Sequence, residues 1–144
     1  MEPSLREKNK TLLKEILQSE KLRYTKQREI VWMEIDGSDK HRNADEIYLS
    51  ILRKGVKVSR ATVYRTIDVL VKHNLIKKLD GFDGGSLYER RLDREHHDHM
   101  ICVETGKIIE FYNKDLENLQ DEIAKQNGYK IVRHVHQLFV KPIK

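Results

Sequence analysis

The sequence predicts an α+β protein: an N-terminal winged helix-turn-helix followed by a β-β-α-β unit. Three observations predict it. Helical patterns fill residues 5–73, and a short strand–turn–strand pattern follows them directly. The charged run Arg90–Glu95 then separates this part from strand patterns that flank one amphipathic helix. The charge balance shifts near the same place: residues 1–80 carry 18 Lys/Arg against 12 Asp/Glu, and residues 81–144 carry 10 against 11. The expected organisation is a winged-helix domain over 1–89, a hinge over 90–95 and a second domain over 96–144.

Each element has its own signal. The first helix runs from Leu5 to Ser19, with Leu12, Leu13, Ile16 and Leu17 at helix-face spacing. The second spans about 25–35, capped by Thr25 and carrying Ile30, Val31 and Ile35, and Gly37-Ser38-Asp39 breaks it. Asn43 caps the third, with Glu46 placed to complete a capping box. Its expected buried face is Ile47, Tyr48, Ile51 and Leu52, and Gly55 ends it. Ser59 caps the fourth, Arg60 to His73, which turns Val63, Ile67, Leu70 and Val71 to one side and Arg65 almost directly away. Ala61, Thr62, Lys72 and Val69 face outward, with Tyr64 at the border; the outward valine has no explanation within this helix.

A strand over 75–79, the turn Asp80-Gly81-Phe82-Asp83-Gly84-Gly85 and a return over 86–89 make the wing. After the hinge, strands are expected over 96–103 and 107–111, joined at Glu104-Thr105-Gly106. A helix over 115–127 follows, with Leu116, Leu119 and Ile123 on its buried side and Gly128 just past its end. The last strand covers 129–140. A unit of about 45 residues has too little core to stand alone, so pairing with a second copy is expected.

Composition excludes several classes. Hydrophobic residues are 38% and charged residues 35%, the balance of a soluble globular chain. No stretch approaches the ~18 consecutive apolar residues of a membrane helix, and the first residues hold no apolar secretory core. Cys102 is the single cysteine, so neither an internal disulfide nor a zinc site of several thiolates can form in one chain. A cytoplasmic protein with no membrane partner is expected. No His-Glu-x-x-His, Gly-rich phosphate loop or Gly-x-Ser-x-Gly elbow is present, so an enzyme is not expected.

Two constellations point to function. Ser59-Arg60-Ala61-Thr62-Val63-Tyr64-Arg65 places hydroxyls, an aromatic ring and two guanidiniums on the first turns of a helix-turn-helix second helix. Bases of duplex DNA are contacted from there, and the basic N-terminal half suits a polyanion. The second constellation is His96-His97-Asp98-His99. In extended backbone, His96 and Asp98 face one way and His97 and His99 the other, so the run can serve two metal sites. The hairpin brings Glu110 near His99, and the following helix and last strand offer Glu117 and His134. Imidazoles and carboxylates without thiolate suit Fe2+, Mn2+ or Zn2+. A metal-storage or delivery module would use the same ligands without sequence-specific DNA binding.

Ala61-Thr62-Val63-Tyr64-Arg65, His96-His97-Asp98-His99-Met100-Ile101-Cys102 and Gly106-Lys107-Ile108-Ile109-Glu110-Phe111 together resemble the ferric uptake regulator family, from about Tyr24 to Val140. The resemblance implies a bacterial, cytoplasmic, homodimeric transcription factor, with a tetramer as the other assembly, that binds a divalent metal and then a palindromic operator in double-stranded DNA, usually as a repressor. It implies a regulatory interdomain site of His41, Glu89, His99 and Glu110. It implies a second site of His96, Asp98, Glu117 and His134 in the dimerisation domain. It assigns DNA contact to Arg23, Tyr64 and Arg65. The two Cys-x-x-Cys pairs of many members are missing, so no structural zinc held by four cysteines is expected. Glu89 and Glu110 stand where peroxide-sensing relatives typically carry Asp. Fe2+ is the first expectation and Mn2+ the second, with Zn2+ as another occupant of either site; the corresponding functions are an iron-responsive repressor of iron-uptake genes and a manganese-responsive regulator.

Overall fold

Apolar spacing and side-chain caps set the first four helices: α1 (Leu5–Ser19), α2 (Lys26–Asp36), α3 (Ala44–Arg53) and α4 (Arg60–Lys72). The computed structural model describes residues 5–91 and 96–143, with side chains from residue 8 onward. Residues 92–95 of the expected hinge therefore lie outside the described residues. The chain divides into two units: Met1–Asp80 with Gly85–Arg94, and Gly81–Gly84 with Glu95–Lys144.

All three expected caps form. The Thr25 hydroxyl accepts from the Arg28 N–H, and Ser59 Oγ accepts from the Thr62 N–H at 3.0 Å. Asn43 and Glu46 close the capping box reciprocally, at 2.8 and 3.2 Å. Each satisfies a donor that the first helical turn leaves unpaired. Gly55 ends α3 with φ 82°, a conformation side chains with a Cβ avoid.

The core of the first unit joins Leu13 and Leu17 of α1, Trp32 and Ile35 of α2, Ile47 and Ile51 of α3, and Val63, Ile67 and Leu70 of α4. Each such side chain contributes about 1.5–3 kcal/mol by leaving water. Two expectations on these helices change. Leu52 is 38% exposed rather than buried. Val69 is half-buried, packed against the core. Thr66, buried on α4, satisfies its hydroxyl by donating to the Thr62 carbonyl at 2.7 Å.

The wing strands β1 (Ile76–Asp80) and β2 (Ser86–Arg90) pair antiparallel, with Lys77 opposite Glu89. A further rung joins Arg42 to Tyr88, each N–H donating to the other's carbonyl.

In the second unit, β3 (Asp98–Cys102) is the central strand between β4 (Ile108–Phe111) and β5 (Gln137–Val140). β4 runs antiparallel to β3, and β5 runs parallel to it after the crossover through α5 (Lys114–Gln126). β3 begins at Asp98 rather than His96, and β5 is confined to its last four residues: of residues 129–136, His136 accepts from the His99 N–H at 3.3 Å and the others form no strand. α5 buries none of its residues: Leu119 and Ile123, expected inside, are 54% and 53% exposed, and Leu116 is half-buried. Leu138 and Phe139 of β5 are also exposed. Ile101 and Cys102 are the buried hydrophobic residues among those described in this unit.

Truncating Leu70 to Ala removes a fully buried side chain at the meeting of the helices. It is expected to destabilise the first unit by about 2–5 kcal/mol, read as a lower urea midpoint of the fluorescence of Trp32, the chain's single tryptophan.

Candidate metal centres and nucleic-acid interface

The helix-turn-helix of α3 and α4 presents Tyr64 and Arg65 at an exposed face, and Arg23 is exposed before α2. The Tyr64 hydroxyl and the Arg60 guanidinium both bond to Asp45 near the start of α3. Arg60 also lies over the Tyr48 ring, 4.5 Å from its centroid. An open groove of about 720 Å3 runs past the capped starts of α2 and α4. Lys21, Arg23, Arg28 and Lys57 line it together with Thr25 and Ser59. Positive side chains and helix N-termini favour the same ligand charge there, that of a phosphate backbone.

The Arg42–Tyr88 rung controls a different part of the first unit. Antiparallel pairing of 42 with 88 sets residue 41 opposite residue 89. His41 Nε2 accordingly lies 2.6 Å from Glu89 Oε2, with Glu89 fully buried. The rung is anchored behind by Glu34, whose Oε2 accepts from Arg42 Nη1 at 2.8 Å and whose Oε1 meets Lys54 Nζ at 2.7 Å. Burial pushes the Glu34 carboxyl up, but Lys54 and Arg42 outweigh it and hold the group below the usual carboxylate range.

β3 then distributes ligands by alternation. Asp98 and His99 are both 1% exposed and point to opposite faces. His99 is directly opposite Glu110 on β4, and His97 Nε2 is 3.5 Å from Glu110 Oε1. The rings of His97 and His99 are 4.7 Å apart. On the other face, His96, Asp98, Glu117 and His134 offer ligand atoms within 4.8 Å of one another. His96 Nε2 is 3.4 Å from Asp98 Oδ1 and 3.2 Å from Glu117 Oε1. His134 Nε2 is 3.2 and 3.3 Å from the same two oxygens.

This second set fits a divalent cation. Two carboxylate oxygens and two imidazole nitrogens converge on one point, and no thiolate contributes, as for harder first-row metals. Asp98 Oδ2 is buried and has no hydrogen-bond donor among the described residues. His136 Nδ1 stands 3.9 Å from that oxygen, and a buried carboxylate is costly unless a cation compensates it.

Sequence reasoning puts Tyr64, Arg65, Glu89, Asp98, His99, Glu110 and Glu117 on the expected elements, whereas His96 and His134 fall outside the strands expected to carry them, and it leaves four neighbours out. His97 carries the same alternation signal as His99 and shares Glu110. Asp45 follows the Asn43 cap as an ordinary first-turn acid. Neither Glu34 nor Gln120, which contacts His134, has a pattern that marks it.

A transcription regulator that binds metal in one part and DNA in another is the class these two units define. The sequence profile of the ferric uptake regulator family matches residues 19–139. The ferric uptake regulation protein of Rhizobium leguminosarum bv. viciae is 35% identical over 132 residues, 92% of each chain. The structure of the Helicobacter pylori ferric uptake regulator, described as revealing three functional metal binding sites, superposes with a TM-score of 0.84 at 35% identity. That match covers 99% of this chain and 95% of the other. The Pseudomonas aeruginosa ferric uptake regulator, solved with manganese, matches at a TM-score of 0.79 and 29% identity, over 92% of this chain and 99% of its own. The chain belongs to the ferric uptake regulator family, whose members are transcription regulators and not enzymes.

Glu34 supplies a pH prediction. A carboxylate held low in the folded state stabilises it above the unfolded pKa, and that stability is lost as pH falls through the folded value. Wild type is therefore expected to exceed Glu34→Gln in unfolding free energy at neutral pH. The gap should narrow below the ordinary carboxylate range, measured by urea titration at stepped pH.

Proposed function

We propose that this protein is a cytoplasmic, Fe2+-dependent repressor of iron-uptake genes that binds an inverted-repeat operator as a homodimer. The observation that carries the reading is the pairing of His41 with buried Glu89 at 2.6 Å. An imidazole paired with a buried carboxylate in the DNA-binding unit is half of a ligand set. His99 opposite Glu110 in the second unit is its complement. One cation taking His41, Glu89, His99 and Glu110, with His97 beside them, fixes one angle between the units. His96, Asp98, Glu117 and His134 hold a second cation within the dimerisation domain.

In this mechanism the DNA-ready arrangement is a minor state until metal binds it. A ligand at 100-fold excess over its dissociation constant stabilises the state it binds by about 2.7 kcal/mol, which is roughly 100-fold in operator affinity. The exposed Leu119, Ile123, Leu138 and Phe139 supply the apolar surface for a second copy. Two recognition helices related by the dimer axis then read two half-sites. Among the described residues no helix is long and apolar enough to cross a membrane.

Manganese is the second reading. The ligand set of imidazoles and carboxylates suits Mn2+ as it does Fe2+, and the structure of the Pseudomonas aeruginosa relative was solved with manganese. Zn2+ is a further occupant of either site, and a zinc held by four cysteines is not expected from a chain with one cysteine.

A titration of an AT-rich palindromic duplex, followed by anisotropy with Fe2+, Mn2+ or chelator, tests the function. Metal-dependent binding is expected, strongest with Fe2+; equal affinity in chelator overturns the regulator as described. Analytical ultracentrifugation of the same samples separates dimer from tetramer. His99→Ala and Glu110→Ala are each expected to lose most of the roughly 100-fold metal activation while the dimer persists. Arg65→Ala is expected to lose about 1–3 kcal/mol of sequence discrimination in competition against random duplex, with metal stoichiometry unchanged.

A further inference from the structure

We propose that Tyr24, clamped by the buried carboxylate of Glu29, is a positioning residue for Arg23, so that the connection between α1 and α2 meets duplex already ordered. The proposal rests on the reading of Arg23 as a DNA contact.

Residues 20–25 join α1 to α2. The connection leaves α1 in a set direction: Lys21 adopts φ 58°, and the Leu22 N–H returns to the Leu17 carbonyl at 2.8 Å. Leu22 and Tyr24 then pack against the core of the first unit, and Arg23 between them is exposed. There it lines the basic groove with Lys21, Arg28 and Lys57. Its own carbonyl accepts from Arg28 Nη1.

Glu29 supplies the hold on the other side of Arg23. It is buried in the first turn of α2, where an ionised carboxylate is costly unless it is paired and hydrogen-bonded. It accepts from the Tyr24 hydroxyl and meets Lys10 Nζ of α1 at 3.1 Å and Lys26 Nζ at 3.5 Å. One turn along α1 from Lys10, Lys14 Nζ stands 5.1 Å from the centroid of the Tyr24 ring. Tyr24 is thus held at its hydroxyl by α2 and at its ring by α1. Burial and the bond to Glu29 push the Tyr24 phenol up to about 12. Burial also pushes the Glu29 carboxyl up, but Tyr24 and Lys10 outweigh it and hold the group below the usual carboxylate range. A phenol that keeps its proton and a carboxylate that has lost its own make a charge-assisted hydrogen bond. An arm ordered in advance avoids the cost of immobilising it on binding, which corresponds to about 2–10-fold in affinity.

The test uses the full chain with Mn2+ and the AT-rich palindromic duplex. Tyr24→Phe deletes the hydroxyl and keeps the ring. It is expected to weaken binding by about 2–10-fold in the wild-type background and to add little in an Arg23→Ala background. Backbone 15N relaxation of the metal-free chain is expected to show the Arg23 amide ordered in wild type and loosened in Tyr24→Phe. Unchanged Trp32 fluorescence in the same samples reports an intact core. If wild type binds no duplex, or Arg23→Ala binds as tightly as wild type, the DNA reading is at fault and the clamp has nothing to position. If Arg23→Ala weakens binding and Tyr24→Phe does not, Arg23 touches duplex without needing the clamp, and the role of Tyr24 is overturned. Equal losses from Tyr24→Phe in both backgrounds mark an effect that does not pass through Arg23, and overturn it as well. So does an Arg23 amide that stays as ordered in Tyr24→Phe as in wild type.

Discussion

The alternation of a single β-strand divides the candidate metal-ligating side chains of this protein into two groups. Asp98 and His99 are adjacent in sequence and both buried, yet extended backbone sends them to opposite faces of β3. One carboxylate enters the cluster with His96, Glu117 and His134, and one imidazole faces Glu110. A one-residue slip in the pairing of β3 with β4 would exchange these faces and dismantle both groupings together. The sheet register is therefore a constraint on ligand chemistry before it is a constraint on packing. On the proposed ligand roles, the strand at the centre of this sheet spends two of its buried positions on polar side chains to hold cations.

In the first unit, backbone pairing does the corresponding work with far less sheet. A single rung between Arg42 and Tyr88 sets His41 against Glu89. Glu34, reaching from α2 to the Arg42 guanidinium and to Lys54, ties that rung to the helical core. The imidazole–carboxylate pair is thus positioned by the same packing that supports the recognition helix. In the proposed mechanism this is what allows a cation to act on the orientation of the whole unit rather than on a loose loop.

Much of this was legible in the residues. Thr25, Asn43 and Ser59 announce three helix starts because capping is local chemistry, decided within four residues. The His96–His99 run shows its two-sided character because strand periodicity needs only short extended backbone. What was hidden depends on partners distant in sequence. The Arg42–Tyr88 rung has no periodicity to read. Leu119 and Ile123 display a buried-helix pattern, yet within one chain they stay exposed, because a pattern records that a face is apolar and not which molecule covers it. The expected last strand shrinks to Gln137–Val140 since β-propensity over 129–136 is met by a single bond to β3, from the His99 N–H to the His136 carbonyl. Gln120 was invisible because a polar residue on an exposed-looking helix turn resembles any other.

Asp45 gives the recognition helix an occupant of its own. Its carboxylate holds both the Tyr64 hydroxyl and the Arg60 guanidinium in the absence of nucleic acid. On the proposed function, duplex reaching Tyr64 meets an anion already in place, so phosphate alone would exchange one negative partner for another and gain little at this spot. Base edges that engage Tyr64 would then have to supply the improvement. In that reading the resident acid is a built-in blank, against which each stretch of duplex is weighed.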